Sequence, residues 1–196
     1  MMSVRMATLR DVPQILEIYR PYIEHTAISF EYVVPSLEEF TQRFSGITAE
    51  FPWLVWEEDG CILGYAYGSK AFDRAAYQWS AAASIYLRQE AWGKGIGKKL
   101  YAALEEFLRL QGYRKVYAVI TTANEASVAF HKAVGYRQTG TMPDCGYKFG
   151  NWYGTIWMEK DLNIWENPPR TPISLWDVPQ ELWPFPLEIN IDSRKI

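Results

Sequence analysis

Cysteine and histidine are scarce in this 196-residue chain, which contains two of each. Cys61 and Cys145 are isolated thiols and do not form a disulfide framework, so we expect a reducing, cytoplasmic setting. His25 and His131 are also far apart, and no metal-ligand spacing can be recognised. The sequence therefore predicts a protein that holds no metal.

The chain also lacks a surplus of positive charge and any long apolar run. Its 20 basic and 23 acidic residues give a formal net charge of −3, which provides no basic field for nucleic acid. No apolar run is long enough to span a membrane, and the first residues lack the apolar core of a signal peptide. We therefore expect no nucleic-acid partner and no membrane partner.

What the sequence does contain is a glycine-rich loop that leads into an amphipathic helix. The loop reads Trp-Gly-Lys-Gly-Ile-Gly-Lys from Trp92 to Lys98, and apolar residues follow it at helical spacing. Such a loop presents free backbone N–H groups at the positive end of a helix dipole. The segment therefore predicts a site for an anion such as a phosphate.

Spacing excludes two common phosphate-binding loops. A Walker P-loop requires a glycine and a hydroxyl residue at positions that hold Trp92 and Lys99 here. A dinucleotide fingerprint requires its third glycine where Lys98 or Leu100 stands. A Gly-x-Gly-x-Gly loop remains, and so does a plain glycine-rich turn without a ligand.

Strand and helix patterns alternate along the chain, which predicts an α/β domain with a mixed sheet. Thr8 and Ser36 are predicted N-caps of two helices, and Gly112 is the predicted end of the helix that follows the glycine loop. The turn Glu58-Asp59-Gly60 predicts a β-hairpin.

Three further elements are predicted downstream. Residues 77–87 indicate one long strand, and the apolar run 116–121 indicates a strand that is buried on both faces. Asn124 is the predicted N-cap of a short helix that stops at Gly135.

The composition changes after residue 161. Residues 162–196 are rich in proline and tryptophan, and such large rings would form a sticky surface if they stayed in water. We therefore predict a domain over residues 1–161 and an arm over 162–196 that packs on its own domain or on a partner subunit. A homodimer is expected.

The order of the motifs carries a resemblance. A strand with Tyr86, the glycine loop, a helix and a second strand are followed by Asn124, His131 and the pair Gly135-Tyr136. This order resembles the GNAT superfamily, in the branch of the phosphinothricin and methionine sulfoximine N-acetyltransferases. The resemblance covers about residues 3–161 and implies the α/β GNAT acyl-CoA N-acyltransferase fold. That fold has a mixed, mostly antiparallel sheet, splayed between two central strands, with helices on both faces.

The resemblance implies an enzyme that uses acetyl-CoA as cosubstrate. It would move the acetyl group to the primary amine of a small molecule, an amino acid or an analogue, by direct attack in a ternary complex. Strand backbone would pair with the pantetheine amides, and loop amides would hold the pyrophosphate. The implied cofactor-binding residues are Ile85, Tyr86, Leu87, Gly93, Lys94, Gly95, Ile96, Gly97, Lys98 and Asn124.

The resemblance also implies catalytic residues, namely His131, Leu87 and Tyr86. His131 stands where the branch protonates the departing thiolate. The backbone N–H of Leu87 would polarise the acetyl carbonyl group.

Three residues match positions that line the amino-acid pocket of the branch: Phe30, Arg74 and Tyr77. Arg74 could hold a carboxylate or phosphinate as a bidentate donor. Phe72 and Gly154 stand where the branch carries Lys and Asp, so the pocket is expected to be less polar than that of a phosphinothricin acetyltransferase.

One catalytic position departs from the branch. The branch places a glutamate, its proposed general base, three residues after Trp79, whereas this chain has Ala82. Alanine accepts no proton, so His131 acting through a water or Glu31 could take this role. An amine with a pKa of about 7.7–8.0 is partly neutral near pH 7 to 8, so a dedicated base is helpful but not indispensable. The alternative is a catalytically silent acyl-CoA-binding module. Trp92, in the Gln or Arg place of the superfamily loop, has no assigned role.

Overall fold

A seven-stranded sheet forms the centre of the molecule in the computed structural model, which describes residues 2–164 and 166–185. The strand order is β1-β2-β3-β4-β5-β7-β6. The strands are β1 (Met2–Met6), β2 (Trp53–Glu58), β3 (Cys61–Lys70), β4 (Ser80–Leu87), β5 (Lys115–Thr121), β6 (Arg137–Lys148) and β7 (Asn151–Asp161). The α-helices of the described residues are α1 (Val12–Glu24), α2 (Leu37–Thr48), α3 (Ile96–Gln111) and α4 (Glu125–Ala133). Among the strands of the described residues, only β4 and β5 pair in parallel, so the predicted mixed, mostly antiparallel sheet is confirmed.

Each face of the sheet has its own apolar core. On one face, α1 and α2 bury Ile15 and Phe40 against Trp53 of β2. On the other face, α3 buries Leu100 and Leu104 with neighbouring strand residues. Alternate strand residues point to opposite faces, so one strand supplies both cores. The prediction of helices on both faces is confirmed.

Local signals placed most helix ends correctly. The Ser36 hydroxyl accepts a hydrogen bond from the Glu39 N–H at the start of α2. Gly112 ends α3 in the left-handed region, at a φ of 95°, which a residue without Cβ adopts at little cost. Thr8 differs slightly from the prediction because it caps a 3₁₀ turn, Leu9–Asp11, that precedes α1.

The two central strands separate after a short parallel contact. Ser80, Ala81 and Ala82 pair with residues 115–117 of β5. Beyond Ala82, β4 continues beside β3 alone and β5 continues beside β7. The result is a wedge-shaped gap between the C-terminal halves of β4 and β5, and the predicted splay is confirmed.

Two strand predictions were wrong in detail. Residues 77–79 do not belong to the strand, because Ala75–Tyr77 forms a 3₁₀ turn and β4 begins at Ser80. The strand at 116–121 is not buried on both faces, because Val119 is 50% exposed. Val119 lies in the part of β5 that no longer pairs with β4, so its side chain is exposed at the gap.

The described part of the arm lies on its own domain. The Leu175 side chain is buried, and its N–H donates to the carbonyl oxygen of Glu50 at 3.1 Å. Trp183 packs edge-on against Phe107 of α3, with 5.1 Å between ring centroids. In residues 2–164 and 166–185, no helix combines the length and apolar character needed to cross a membrane. The domain boundary at residue 161 and the homodimer stay predictions.

A buried ion pair between β1 and the first turn makes stability depend on pH. Both carboxylate oxygens of Asp11 accept hydrogen bonds from Arg5, at 2.7 and 2.9 Å. Burial raises the pKa of Asp11, but the bonds from Arg5 and Thr8 outweigh it and hold the pKa below its usual value. A lowered folded-state pKa gives stability above about pH 4 that is lost as the pH falls through the folded-state pKa.

We therefore expect Asp11→Asn to lower the free energy of unfolding by about 1–3 kcal/mol at pH 7. The variant should also lose less stability than the wild type on acidification, because its side chain no longer titrates. Urea unfolding at pH 7 and near pH 3 measures both effects. Asp73→Asn, at an exposed loop position, is the control. Equal stability of Asp11→Asn and wild type at pH 7 would contradict the prediction.

Candidate functional site

The glycine loop forms an open anion-binding nest at the start of α3. Gly93 and Gly95 have φ values of 74° and 77°, and an added Cβ atom at either would meet nothing within 4 Å. Backbone that alternates into the left-handed region turns successive N–H groups toward one point. Gly97 lies behind them, where a Cβ atom would stand 3.2 Å from the Phe130 ring and 3.4 Å from the Ile85 side chain. The nest therefore adjoins β4 and α4.

The edge of β4 beyond Ala82 pairs with no described strand on the side of the gap. The Arg88 N–H donates to the Leu63 carbonyl at 2.8 Å, which directs the backbone polar groups of Arg88 toward β3. Because these groups alternate in direction along a strand, those of Leu87 and Ile85 point away from β3. The edge and the nest together offer backbone donors and acceptors along one wall of the gap.

A cavity of about 460 Å³ opens on the other side of the gap. Among the described residues that line it, Glu31 is the charged one. The lining residues are Tyr19, Ile28, Ser29, Phe30, Glu31, Tyr86, Val119, Thr121 and Thr155. A larger groove of about 660 Å³ lies elsewhere, between β1, α3 and the end of the described arm, and it includes neither the nest nor the gap.

The carboxylate of Glu31 is held by one of its two oxygens. Its Oε1 atom accepts from Arg43 at 2.6 Å and from the Tyr19 hydroxyl at 3.2 Å. Burial raises the pKa of Tyr19 to about 12, so this hydroxyl remains a donor at neutral pH. Two anchors on Oε1 fix the orientation of the carboxylate beside the cavity.

A buried lysine fixes the loop that carries Glu31. The Lys148 ammonium donates to the carbonyl oxygens of Ile23 and Ser29, both at 2.7 Å. The ring of Phe30 lies directly over Gly146, where an added Cβ atom would overlap it. The β6–β7 hairpin therefore positions the loop between α1 and α2.

The predicted substrate residues lie in two places. Phe30 lines the cavity, whereas Arg74 and Tyr77 belong to an exposed loop before β4 and are not among the lining residues. The Phe72 ring packs between Tyr77 and the sheet. Its centroid is 4.7 Å from that of Tyr77 and 5.5 Å from that of Tyr117 in β5. Arg74 is exposed at the start of a 3₁₀ turn.

The surroundings of Ala82 are aromatic. Ala82 pairs with Tyr117 across the parallel contact, and both side chains point away from α3, because Ala81 and Val116 belong to the α3 core. The ring of Phe72 packs edge-on against Tyr117. Tyrosine and phenylalanine thus lie close to the position where the branch has its glutamate.

His131 lies in a closed environment in α4. Its Nδ1 donates to the Ser127 carbonyl at 2.7 Å, so Nε2 accepts from the Tyr101 hydroxyl, which is 2.8 Å away. The residue is 2% exposed, and burial lowers the pKa of its imidazole. In this arrangement His131 joins α4 to α3. Proton donation to a thiolate would require the ring to release Tyr101, so this role stays a prediction.

The remaining predicted cofactor residues surround the nest. Asn124 caps α4 by accepting a hydrogen bond from the Ser127 N–H at 3.1 Å. Lys94 and Lys98 are exposed, whereas Ile96 is buried in the α3 core. Within residues 2–164 and 166–185, no cluster of three or more His, Cys, Asp or Glu side chains could hold a metal ion.

The family profile described as an acetyltransferase (GNAT) domain matches residues 4–157. The chain belongs to the GNAT acetyltransferase family. A phosphinothricin N-acetyltransferase from Streptomyces viridochromogenes is 32% identical over 168 residues, which cover 86% of this chain and 91% of that relative. An L-methionine sulfoximine/L-methionine sulfone acetyltransferase from Pseudomonas paraeruginosa is 32% identical over 171 residues, covering 85% and 98%.

A solved GNAT structure has the same arrangement of elements. The phosphinothricin acetyltransferase from Sinorhizobium meliloti, solved in complex with acetyl-CoA, matches with a TM-score of 0.80 and 38% identity. The match covers 83% of this chain and 89% of that one. The predicted resemblance to the phosphinothricin and methionine sulfoximine branch is therefore confirmed.

Several cavity residues were not identified from the sequence. Tyr19 is one of them, although its hydroxyl donates to Glu31. Val119, Thr121 and Thr155 alternate on the gap-facing side of paired strands. Strand alternation could have placed these three on one face, but only the opening of the sheet shows that the face is exposed.

Proposed function

We propose that this chain transfers the acetyl group of acetyl-CoA to the primary amine of a small molecule, an amino acid or an analogue of the phosphinothricin type. The amine attacks directly in a ternary complex. One observation carries the proposal: the anion nest and the cavity with Glu31 open onto the same gap between β4 and β5. The names of the relatives support the substrate class.

The residues around the gap fit the cosubstrate. The N–H groups of the nest suit a pyrophosphate, and Lys94 and Lys98 add positive charge. The edge groups of Ile85 and Leu87 suit the amides of pantetheine. When bound, acetyl-CoA supplies an activated thioester carbonyl group. Contacts of Asn124 and Tyr86 with acetyl-CoA are also part of the proposal.

Glu31 is the proposed proton acceptor in place of the glutamate that Ala82 replaces. The substrate ammonium loses two protons: the carboxylate of Glu31 accepts the first and releases it to water, and the second ends on the sulfur of CoA. The nitrogen lone pair forms the N–C bond, and the C–S bond breaks with its electron pair left on sulfur. The free Oε2 side of the carboxylate suits this task because Oε1 already has two donors.

A catalytically silent acyl-CoA-binding module is the second candidate, and Ala82 favours it. Incubation of the protein with acetyl-CoA and a panel of amines between about pH 7 and 9, with detection of the free thiol, separates the two candidates. We expect thiol release with at least one small amine. Tight CoA binding in calorimetry without any transfer would favour the silent module, and activity gained by Ala82→Glu would then identify what had been lost.

The proposed enzyme is a homodimer. Sedimentation of the full chain at several concentrations measures this, and a monomer at all of them would contradict it.

A further inference from the structure

The hydroxyl of Tyr22 lies against the backbone of Leu87, at the edge of β4 beyond Ala82. It donates to the Leu87 carbonyl oxygen at 2.5 Å and accepts from the Leu87 N–H at 3.4 Å. The Tyr22 ring packs edge-on against Tyr86 with 5.1 Å between centroids. A side-chain hydroxyl from α1 therefore stands at the strand edge that borders the gap.

The protonation state of Tyr22 suits a donor. Burial raises the pKa of Tyr22, although its bond to Leu87 acts in the opposite direction. The hydroxyl therefore keeps its proton across the neutral range. Such a group can stabilise a developing negative charge without transferring its proton.

We propose that Tyr22 is a catalytic residue: when acetyl-CoA enters the gap, the Tyr22 hydroxyl turns from the Leu87 carbonyl and donates a hydrogen bond to the acetyl carbonyl oxygen, beside the N–H of Leu87. The inference rests on the proposed function, because it requires the acetyl group to enter the gap at Leu87. Negative charge develops on that oxygen as the amine attacks, and the Leu87 N–H and the Tyr22 hydroxyl stabilise it. The proton balance of the reaction is unchanged, since Tyr22 neither gains nor loses a proton.

Tyr22→Phe tests the role because it keeps the ring and removes the donor. Infrared spectroscopy of bound acetyl-CoA, labelled with ¹³C at the carbonyl carbon, reports hydrogen bonding to that oxygen without any turnover. We expect the bound carbonyl stretch at a higher frequency in Tyr22→Phe than in the wild type. We also expect kcat to fall about 10²-fold, with little change in KM for acetyl-CoA.

A control variant accompanies the test. Tyr113→Phe is the matched control, since it removes a hydroxyl from a buried ring at the opposite end of α3. We expect neither quantity to change in this control, and melting temperatures verify that both variants fold.

An unchanged carbonyl band in a folded Tyr22→Phe variant would overturn the inference. Tighter acetyl-CoA binding with unchanged kcat would also overturn it, because Tyr22 would then only compete for the strand edge. A different result would contradict the proposed function, namely wild-type protein that binds acetyl-CoA and acetylates no amine. The infrared comparison would still decide whether Tyr22 donates to the acetyl carbonyl oxygen.

Discussion

Replacing Glu31 with glutamine is expected to lower kcat/KM for the amine about 10³-fold near pH 7 while leaving acetyl-CoA affinity unchanged. Glutamine has nearly the shape of glutamate but does not accept a proton. Glu31 is the charged residue among those that line the cavity, and the nest that suits the pyrophosphate lies on the other side of the gap. The loss should therefore appear in the acetyl-transfer step alone.

The pH dependence sharpens this prediction. An α-amino group with a pKa of about 7.7–8.0 is mostly protonated at pH 7 and becomes neutral as the pH rises. Because Glu31→Gln can use only the neutral amine, its kcat/KM should rise more steeply between about pH 7 and 9 than that of the wild type. A substrate amine with a lysine-like pKa of about 10.4 should make the deficit larger.

Stopped assays with thiol detection measure the rates, and calorimetry measures the acetyl-CoA affinity. Glu17→Gln is a suitable control, because Glu17 is an exposed residue of α1 whose side chain pairs with Arg20. It should retain wild-type rates. If Glu31→Gln keeps full activity at pH 7, Glu31 is not the proton acceptor, and His131 acting through a water becomes the candidate to examine.

The parts of the site that sequence predicted are those defined by local backbone. The glycine loop needs residues without Cβ at Gly93 and Gly95, and the helix after it needs its apolar spacing, so both can be read from consecutive residues. The same holds for Ser36, whose capping partner is three residues away. These features indicated the fold, the anion nest and the family.

The cavity could not be predicted because its walls come from distant segments. Glu31 and Phe30 lie on a loop between two helices, and two residues that come more than a hundred positions later, Gly146 and Lys148, contact that loop. The apolar run at β5 favoured burial on both faces, since nothing in the run itself shows that β4 leaves it at Ala82. Tyr22 likewise meets Leu87 only through tertiary packing.

Lys148→Met is expected to lower the free energy of unfolding by about 3 kcal/mol, a larger loss than that of a typical surface substitution. Lys148 is 2% exposed, and its ammonium satisfies the buried carbonyl groups of Ile23 and Ser29. Burial lowers the pKa of Lys148, so the structure holds this ammonium at a desolvation cost. Methionine fills much of the space but donates nothing, and both carbonyl groups would lose their partner.

Lys148→Met should also affect KM for the amine and KM for acetyl-CoA differently. Without Lys148 the loop that carries Phe30 and Glu31 loses the hydrogen bond from this ammonium to the Ser29 carbonyl, whereas the nest at α3 is untouched. We therefore expect KM for the amine to rise at least about tenfold and KM for acetyl-CoA to stay within about twofold, a difference of at least about 1 kcal/mol between the two sites.

Urea unfolding gives the stability change, and initial rates with each substrate varied in turn give the two KM values. Lys132→Met is the matched control, because Lys132 is an exposed residue of α4 and its substitution should change neither quantity. Lys148→Arg should recover part of the amine KM, since a guanidinium can still donate to both carbonyl groups. Loss of an anchor that is specific to the amine-binding loop leaves the nest for acetyl-CoA intact. Equal increases in both KM values for Lys148→Met would therefore contradict the prediction and mean that the lysine supports the whole fold.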